Sequence, residues 1–469
     1  MRPIRQLGSA AVMLTMLAVA ACGGVAVKAP SGGAQKPTGT ARPTAVPTGV
    51  MKVALLAPLT GEVGPVGQQL VNAAAVAVFE RPDINIELIP FDTQGTPEGA
   101  AQAASEARAA NADLVLGPLF GAHVPVVRQA MLGSNITMLA FTNDLTQASG
   151  ATFSMGLGVG AQVERMVSFL AGQQKTRLIV IGPDNEYTAR TLAAVEASTV
   201  ATGGILVRSA VYPEDADFNA ISKQVQEITN YQARRGEWQA YSRGLKPRVR
   251  TAASPAGTLR QEATRFAATD MRGEMRGEML RGMARVYNTW AASGRNRALA
   301  EVIQRIDGVD AMPVSDYDAV ILPVGNDNLV AIGSMLDLYN AGRGFVQISG
   351  TNVWPNVDLS SEPSLLGGWF TQTSEAALSP FILAYRNNFQ ETPEGIAALA
   401  YHGVRVAIEA MVAGSRPLTP DFVQRPEGFD GLAGTVRFGA DNLMRHPLSI
   451  YQVNPEGPQE LQGAEQPTS

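Results

Sequence analysis

The sequence has 469 residues, of which 45% are hydrophobic, with 37 Lys and Arg against 42 Asp and Glu and a single cysteine. A net charge of −5 gives no reason to expect a nucleic acid as partner. One cysteine cannot form a disulfide within the chain, so the folded part must rely on packing alone.

The first 21 residues have the layout of an export signal. Arg2 and Arg5 precede an apolar run from Ala10 to Ala21 that ends in small residues. A charged start, a short apolar middle and a small-residue cleavage site are typical of secretory signal peptides. At roughly a dozen residues the run is too short for a membrane span, which needs about 20. We therefore predict a signal peptide over residues 1–21.

The cysteine directly follows this run. Residues 19–22, Val-Ala-Ala-Cys, resemble the bacterial lipobox, in which the cysteine thiol receives a diacylglyceryl group and becomes the new N-terminus. The resemblance implies a lipoprotein modified at Cys22, and Gly23 after it favours an anchor on the periplasmic face of the outer membrane. An ordinary signal peptide with an incidental cysteine is the alternative.

Residues 23–49 are rich in Gly, Pro, Thr and Ala and contain no aromatic side chain. Such a segment cannot bury enough apolar surface to order itself. We predict a flexible linker over residues 22–50, which spans roughly 30 Å as a coil.

Strand and helix patterns alternate from residue 51 onward. Apolar runs of strand length occur at residues 53–59, 84–91, 113–118 and 136–141, and helical patterns lie between the first three of them. Continuous apolar strands separated by helices predict a parallel sheet that is covered on both faces. Residues 51–155 are expected to form the first part of one lobe, lobe 1.

A second alternating series occupies residues 156–345 and predicts a second lobe, lobe 2. The fold class is therefore α/β, with two doubly wound Rossmann-like lobes. The chain is then expected to return to lobe 1 over residues 346–413. Short strands over residues 414–455 are expected to complete lobe 2, and residues 456–469 to form a disordered tail.

The second series is interrupted by a segment of different character. Residues 230–315 contain fifteen Lys and Arg against eight Asp and Glu, although the whole chain is acidic. We predict a basic helical insert in lobe 2. In it, methionines four residues apart form one drifting helical stripe flanked by arginines. The stripe and its nearest flanks comprise Met271, Met275, Met279, Met283, Arg272 and Arg276.

The methionine stripe has two interpretations. Gly273 and Gly277 each weaken a helix by roughly 1 kcal/mol relative to alanine, so this helix needs something to pack against. The stripe either covers part of its own domain or forms a docking surface for another protein, since methionine side chains adapt well to partners.

Motifs for catalysis, metals and nucleotides are weak or missing. Residues 156–161 fit the spacing G-x-G-x-x-A, but the segment before them is short and polar, whereas a dinucleotide fingerprint follows a buried strand. The three histidines have no neighbour at metal-ligand spacing. We expect no catalytic residue, no metal and no cofactor, and hence a protein that is not an enzyme.

Loops at the carboxyl edge of the strands are where such lobes hold ligands. Turn formation and helix capping are an equally good explanation for the polar residues of these loops. The candidate cleft residues are Thr60, Gly121, His123, Thr142, Asn143, Asp144, Asn185 and Tyr187.

Several segments together resemble the leucine-binding, type I periplasmic binding protein family: residues 53–78, 114–119, 181–204 and 431–453, with Asp-Phe at 217–218. The resemblance covers nearly all of residues 51–453 except the insert. It implies two lobes joined by a hinge of three crossovers.

Two branches of that family imply different functions. In its amino-acid receptors, serines in the loop after the third strand hold the ligand carboxylate; here that loop reads Gly121-Ala122-His123, and the next places Asp144 where a carboxylate would approach. Like charges in a dry cleft repel by several kcal/mol.

The penicillin-binding protein activators are outer-membrane lipoproteins that grip a peptidoglycan synthase. The lipobox, the linker, the altered loops and the insert favour that branch, with the synthase as partner. The alternative is the substrate-binding lipoprotein of an ABC transporter, with the transporter permease as partner and an amino acid or related small solute as ligand.

Overall fold

The structure is a computed structural model that describes residues 49–142, 144–269, 271–308 and 315–465. The predicted signal peptide, Cys22 and nearly all of the predicted linker lie outside the described residues. The described residues belong to one compact unit.

The described strands are β1 (Met51–Ala57), β2 (Ile86–Asp92), β3 (Leu114–Leu116), β4 (Thr137–Ala140), β5 (Thr152–Ser154), β6 (Arg177–Pro183), β7 (Ile205–Tyr212), β8 (Ala319–Leu322), β9 (Gln347–Gly350), β10 (Trp369–Gln372), β11 (Phe429–Gly431), β12 (Gly434–Phe438), β13 (Met444–Arg445), β14 (Leu448–Gln452) and β15 (Gln459–Glu465). The described α-helices are α1 (Gly64–Phe79), α2 (Pro97–Ala109), α3 (Val124–Ala130), α4 (Val159–Gly172), α5 (Glu186–Thr202), α6 (Phe218–Ile228), α7 (Tyr231–Thr251), α8 (Pro255–Ala267), α9 (Met271–Ala291), α10 (Arg295–Gly308), α11 (Asp327–Leu338), α12 (Glu375–Phe389), α13 (Ala397–Ala413) and α14 (Pro420–Val423).

Lobe 1 is built on a parallel sheet of order β2-β1-β3-β4-β5. The run of apolar residues in β1 is continuous because both faces of the sheet are covered. Val53 and Leu55 point to the face covered by α1 and α13, whereas Ala54 and Leu56 point to the face covered by α2 and α3. The predicted two-sided parallel sheet is confirmed.

Lobe 2 contains a seven-stranded sheet of order β15-β14-β10-β9-β8-β6-β7. The five strands from β7 to β10 are parallel, and β14 and β15 add two antiparallel strands at one edge. Helices α6 and α11 pack on one face and α4 and α5 on the other. Trp354, which is fully buried, fills the first face, and its Nε1–H donates to the Leu322 carbonyl at 3.0 Å.

The chain crosses between the lobes three times: between β5 and α4, between β10 and α12, and between β13 and β14. This is the three-crossover hinge that the family resemblance implies. The return to lobe 1, however, comes later than the predicted range 346–413. β9 and β10 still belong to the sheet of lobe 2 because they pair with β8 and β14.

The C-terminal prediction is wrong in two respects. The segment 414–455 was expected to complete lobe 2, but α14 and the small sheet β11-β12-β13 pack into the core of lobe 1, where the ring of Phe438 meets that of Phe153 at 5.4 Å. Only β14 and β15 complete lobe 2. The tail 456–469 was expected to be disordered, yet β15 pairs with β14 along most of its length.

The insert predicted at residues 230–315 consists of helices α7 to α10, which share a core of their own. That core includes Leu245, Leu259, Leu280 and Val302, all fully buried. One buried arginine joins the insert to lobe 2. Arg234 donates hydrogen bonds to the carbonyls of Thr229, Tyr339 and Asn340 at 2.6–3.0 Å.

Along the described parts of the chain, none of the helices combines the length and the apolar character that a membrane crossing requires.

Candidate functional site

The loops at the carboxyl ends of the parallel strands of both lobes form the candidate site, here called the interlobe cleft. Open parallel sheets bind ligands at this edge. A direct contact joins the two lobes across it: Nη2 of Arg190, on α5 of lobe 2, donates to Oδ1 of Asp144, in the loop after β4 of lobe 1, at 3.3 Å. The two sets of loops therefore face each other.

Thr60, in the loop after β1, is held by a hydrogen bond to Asp92 at the end of β2. Its hydroxyl donates to Oδ2 of Asp92 at 2.7 Å, and Oδ1 of Asp92 accepts from the backbone N–H groups of Leu59 and Gln94. Burial disfavours the charged form of Asp92, but these hydrogen bonds outweigh burial and lower its pKa. Thr60 retains an acceptor oxygen at the exposed rim of the cleft.

Gly121 and Thr142 bring the loops after β3 and β4 into contact. A Cβ at Gly121 would lie 2.5 Å from Oγ1 of Thr142, so any side chain there would separate the loops. Thr142 is buried, and its Oγ1 accepts from the Asp144 N–H at 2.8 Å. Both residues shape the cleft wall without offering a free group. Asn143 lies outside the described residues.

Asp144 is a charged group at the cleft surface. Its carboxylate accepts from the hydroxyl and N–H of Thr146 and from Nε2 of Gln147, as well as from Arg190. The hydrogen bonds, chiefly from the Thr146 hydroxyl, lower the pKa of Asp144 although burial opposes this. The repulsion of a ligand carboxylate that the sequence suggested is offset by the adjacent guanidinium.

Arg190 is the cleft residue that sequence reasoning missed. Its side chain is 23% exposed and also donates to Oε1 of Glu186, one helical turn earlier, at 2.6 Å. An acid and a base four residues apart, at the start of a helix that follows a strand's carboxyl end, was the available signal. Sequence reasoning considered the residues directly after each strand, and Arg190 lies one helical turn beyond them.

His123 and Asn185 have structural roles in their own lobes. His123 is buried in lobe 1, where its ring lies edge-on to Phe120 at 5.2 Å and burial lowers its pKa. Asn185 caps α5, because its side-chain oxygen accepts from the Thr188 N–H at 3.0 Å. For these two candidates, core packing and helix capping are the better explanations.

Tyr187 belongs to a polar network at the carboxyl edge of lobe 2. Its hydroxyl donates to Oγ1 of Thr351, in the loop after β9, at 2.9 Å. Close by, Oε1 of Gln162 accepts from the Asn352 N–H at 2.9 Å. Burial raises the pKa of Tyr187, so its hydroxyl stays protonated. The network fixes the loop after β9 against α4 and α5.

Two histidines lie near the hinge, the buried His402 and the half-buried His446. His446 follows β13 in the third crossover, and its Nε2 donates to the carbonyl of Met155 in the first crossover at 3.2 Å. His402 of α13 lies beside it, with ring centroids 5.7 Å apart, and accepts from the Leu432 N–H through Nε2. The hydrogen bond from His446 to Met155 connects the third crossover to the first.

Of the two interpretations of the methionine stripe, packing within its own domain agrees better with the described residues. Met283 is buried in the insert core, Met279 packs against that core, and Arg276 lies over the ring of Phe266 at 4.6 Å. Met275 is 44% exposed. The side chains of Met271 and Arg272 lie outside the described part of the chain.

The glycines of the stripe have a packing role. A Cβ at Gly273 would lie 1.8 Å from the Phe266 carbonyl oxygen, and one at Gly277 would lie 2.7 Å from that of Ala263. Their absence of side chains therefore lets α9 approach α8 closely. The contact supplies the packing partner that the weak helix propensity demanded.

The glycine-rich segment 156–161 is a crossover. β5 before it is a three-residue strand at the edge of lobe 1, and α4 after it belongs to lobe 2. The strand before the segment and the helix after it therefore lie in different lobes, whereas a dinucleotide fingerprint needs both within one βαβ unit. Within the described residues, no group of three or more His, Cys, Asp and Glu side chains is placed to hold a metal ion.

Comparisons of sequence support the family resemblance. Residues 50–233 match the family model described as periplasmic binding protein. The Leu/Ile/Val-binding protein BraC3 of Rhizobium johnstonii is 28% identical over 190 residues, which cover 37% of this chain and 50% of that protein. The match thus spans about half the length of this curated relative.

Solved structures show the same fold over the whole length of their chains. A structure described as a branched-chain amino acid ABC transporter from Rhodospirillum rubrum has a TM-score of 0.60 at 13% identity, covering 88% of this chain and 100% of its own. A branched-chain amino acid ABC transporter periplasmic ligand-binding protein from Burkholderia xenovorans has a TM-score of 0.55 at 10% identity, with 88% and 96% covered. The chain therefore has the α/β fold of the type I periplasmic binding proteins, and over residues 50–233 its sequence is similar to that family.

Proposed function

We propose that this chain is the solute-binding component of an ABC transporter and that it recognises a small α-amino acid without transforming it. The relatives named above are a Leu/Ile/Val-binding protein and proteins of branched-chain amino acid transporters. The observation that carries the proposal is the pair Arg190 and Asp144, which places a cation and an anion on opposite walls of the interlobe cleft.

The charges of this pair match those of an α-amino acid. A guanidinium binds a carboxylate through parallel hydrogen bonds, and a carboxylate accepts from an ammonium group. In the structure the two side chains satisfy each other at 3.3 Å. A zwitterionic ligand between the lobes replaces that contact with two stronger ones, so neither charge is left unpaired.

Among the two functions considered from the sequence, the comparisons favour the receptor over the penicillin-binding protein activator. The helical insert is the observation that still favours the activator, because a solute cleft does not require it. Stimulation of a reconstituted peptidoglycan synthase by this protein, lost on deletion of residues 231–308, is the result that would reverse the order of the two proposals.

The proposed location is outside the cytoplasm, as for the periplasmic ligand-binding protein named above. We extend this to a lipid anchor at Cys22, on the resemblance of residues 19–22 to a lipobox. Labelled palmitate should be incorporated by the full-length protein in bacterial cells and not by its Cys22→Ala variant. Equal labelling of the two proteins would refute the anchor.

A melting screen tests the receptor proposal. The twenty α-amino acids are compared with their amides and with amines that lack the carboxylate. A true ligand at a hundredfold excess over its Kd stabilises the folded state by about 2.7 kcal/mol. We expect one or a few apolar amino acids to raise the Tm and their amides to be weaker. No response to any amino acid would contradict the proposal.

A further inference from the structure

The helical insert carries a basic surface along one face of α7 that solute binding does not use. At about 100° per residue, five residues of α7 fall within about 80° around the helix axis, and the first and last lie about 22 Å apart. We call them the basic ridge: Arg235, Gln239, Arg243, Lys246 and Arg250. The ridge contains four cationic side chains and no acidic one.

The charges of the ridge arginines are not compensated within the protein. Arg235, Arg243 and Arg250 are exposed, and among the described residues no carboxylate lies within ion-pair distance of them. Arg243 donates only to the Gln239 carbonyl of its own helix. Glu237, the acidic residue of α7, lies about 160° around the axis from the centre of the ridge.

In the other helices of the insert, several arginines have a carboxylate or an aromatic ring as partner. These pairs are Arg281 with Glu278, Arg297 with Glu301, Arg276 with Phe266 and Arg305 with Trp290. The uncompensated charge of the three ridge arginines Arg235, Arg243 and Arg250 is therefore a local feature, beyond the general arginine content of the insert.

The ridge lacks the composition of a protein interface. The core of such an interface is apolar and rich in aromatic residues. The large apolar side chains Trp238, Leu245 and Val249 of α7 are instead buried in the insert. The ridge itself carries four cationic side chains and one amide along one face of the helix. That surface fits a diffuse layer of negative charge better than a shaped protein partner.

We propose that the basic ridge docks the insert onto the anionic headgroups of a membrane surface. Guanidinium groups bind phosphate oxygens through paired hydrogen bonds, and each basic residue close to an anionic bilayer strengthens binding about fivefold. The attraction acts within about 8 Å at physiological ionic strength. Docking of this kind holds lobe 2 at the membrane whether or not the cleft contains a solute.

Vesicle binding tests this proposal with residues 46–469, which include every core described above. Vesicles of phosphatidylcholine with 30% phosphatidylglycerol are compared with pure phosphatidylcholine in a sedimentation assay. The wild type should bind the anionic vesicles and release them at high salt. The triple variant Arg235→Glu, Arg243→Glu, Arg250→Glu should bind at least about 100-fold more weakly, with an unchanged Tm because these side chains are exposed.

A matched variant separates the ridge from net charge. Arg260→Glu, Arg285→Glu and Arg297→Glu reverse three exposed charges on the other helices of the insert. We expect this variant to retain most of the binding. Equal losses in the two triple variants, or no preference of the wild type for anionic vesicles, would overturn the proposal. An acidic protein partner would be indicated instead if the ridge variant lost an interaction in cells that anionic vesicles do not reproduce.

Discussion

The two lobes and the helical insert differ in how far apart in the sequence their core residues lie. The core of lobe 1 combines Met51 of the first strand with Met444 of β13, so it requires contacts between distant parts of the sequence. The core of the insert comes from one stretch, residues 231–308. A defect in a lobe should therefore affect the whole molecule, whereas a defect in the insert should affect the insert alone.

The largest expected effect is on lobe 2. Trp354→Ala removes a fully buried ring that lies against Gly350, and it should lower the free energy of unfolding by about 4 kcal/mol. Trp354→Phe is the control, since it keeps a ring and loses the hydrogen bond to Leu322, with a smaller expected cost of about 1 kcal/mol. Denaturant unfolding followed by circular dichroism measures both. Similar stabilities for the two variants would argue against this packing role.

A core substitution in the insert should destabilise fewer elements of the protein. Leu280→Ala should destabilise the insert by about 3 kcal/mol because Leu280 is fully buried there, whereas Met275→Ala, at an exposed position of the same helix, should change little. Hydrogen exchange should show lost protection in α8 and α9 and unchanged protection in β6 and β8. An equal loss of hydrogen-exchange protection in β8 would contradict the expectation that the insert is destabilised separately from lobe 2.

The smallest effect concerns the hinge histidines. Burial, with the nearby His446 and Arg405, lowers the pKa of His402 to about 3, against 6.5 in the unfolded chain. The folded state therefore excludes a proton that the unfolded state binds, so stability is complete above about pH 6.5 and is lost as the pH falls toward 3. One such group contributes a slope of up to about 1.4 kcal/mol per pH unit.

The variant His402→Gln tests this slope, because glutamine can accept the Leu432 N–H bond but does not titrate. We expect the variant to lose stability less steeply than the wild type between pH 6.5 and 4. His446, whose pKa burial also lowers, should account for part of the remaining slope. Parallel curves for the two proteins would mean that His402 is protonated in the folded state.

Periodicity predicted the lobes and the insert because each depends on local patterns. The insert, expected at 230–315, comprises helices from Tyr231 to Gly308. Both C-terminal strands are predicted for lobe 2; β14 lies there, but β12 lies in lobe 1, since alternation predicts a half-buried strand without identifying its sheet. Long-range packing decides it: Phe438 meets Phe153 of lobe 1.

The candidate site was harder to predict for a related reason. Thr, Asn, Asp and Gly at loop ends serve as turn formers and caps as readily as ligand groups. Asn185 shows this, as it caps α5. Arg190 acquires its role only when α5 of one lobe faces the loop after β4 of the other. The spacing of residues in the sequence does not predict this contact between the two lobes.

We propose that the interlobe cleft binds an amino acid through Arg190. Calorimetric titration of the best amino acid from the melting screen measures it directly, with wild type, Arg190→Ala and the distant control Arg285→Ala. We predict an unchanged Kd for Arg285→Ala and a Kd raised about 10- to 100-fold for Arg190→Ala, the loss expected for a charged hydrogen bond. Equal Kd values for wild type and Arg190→Ala would contradict the claim.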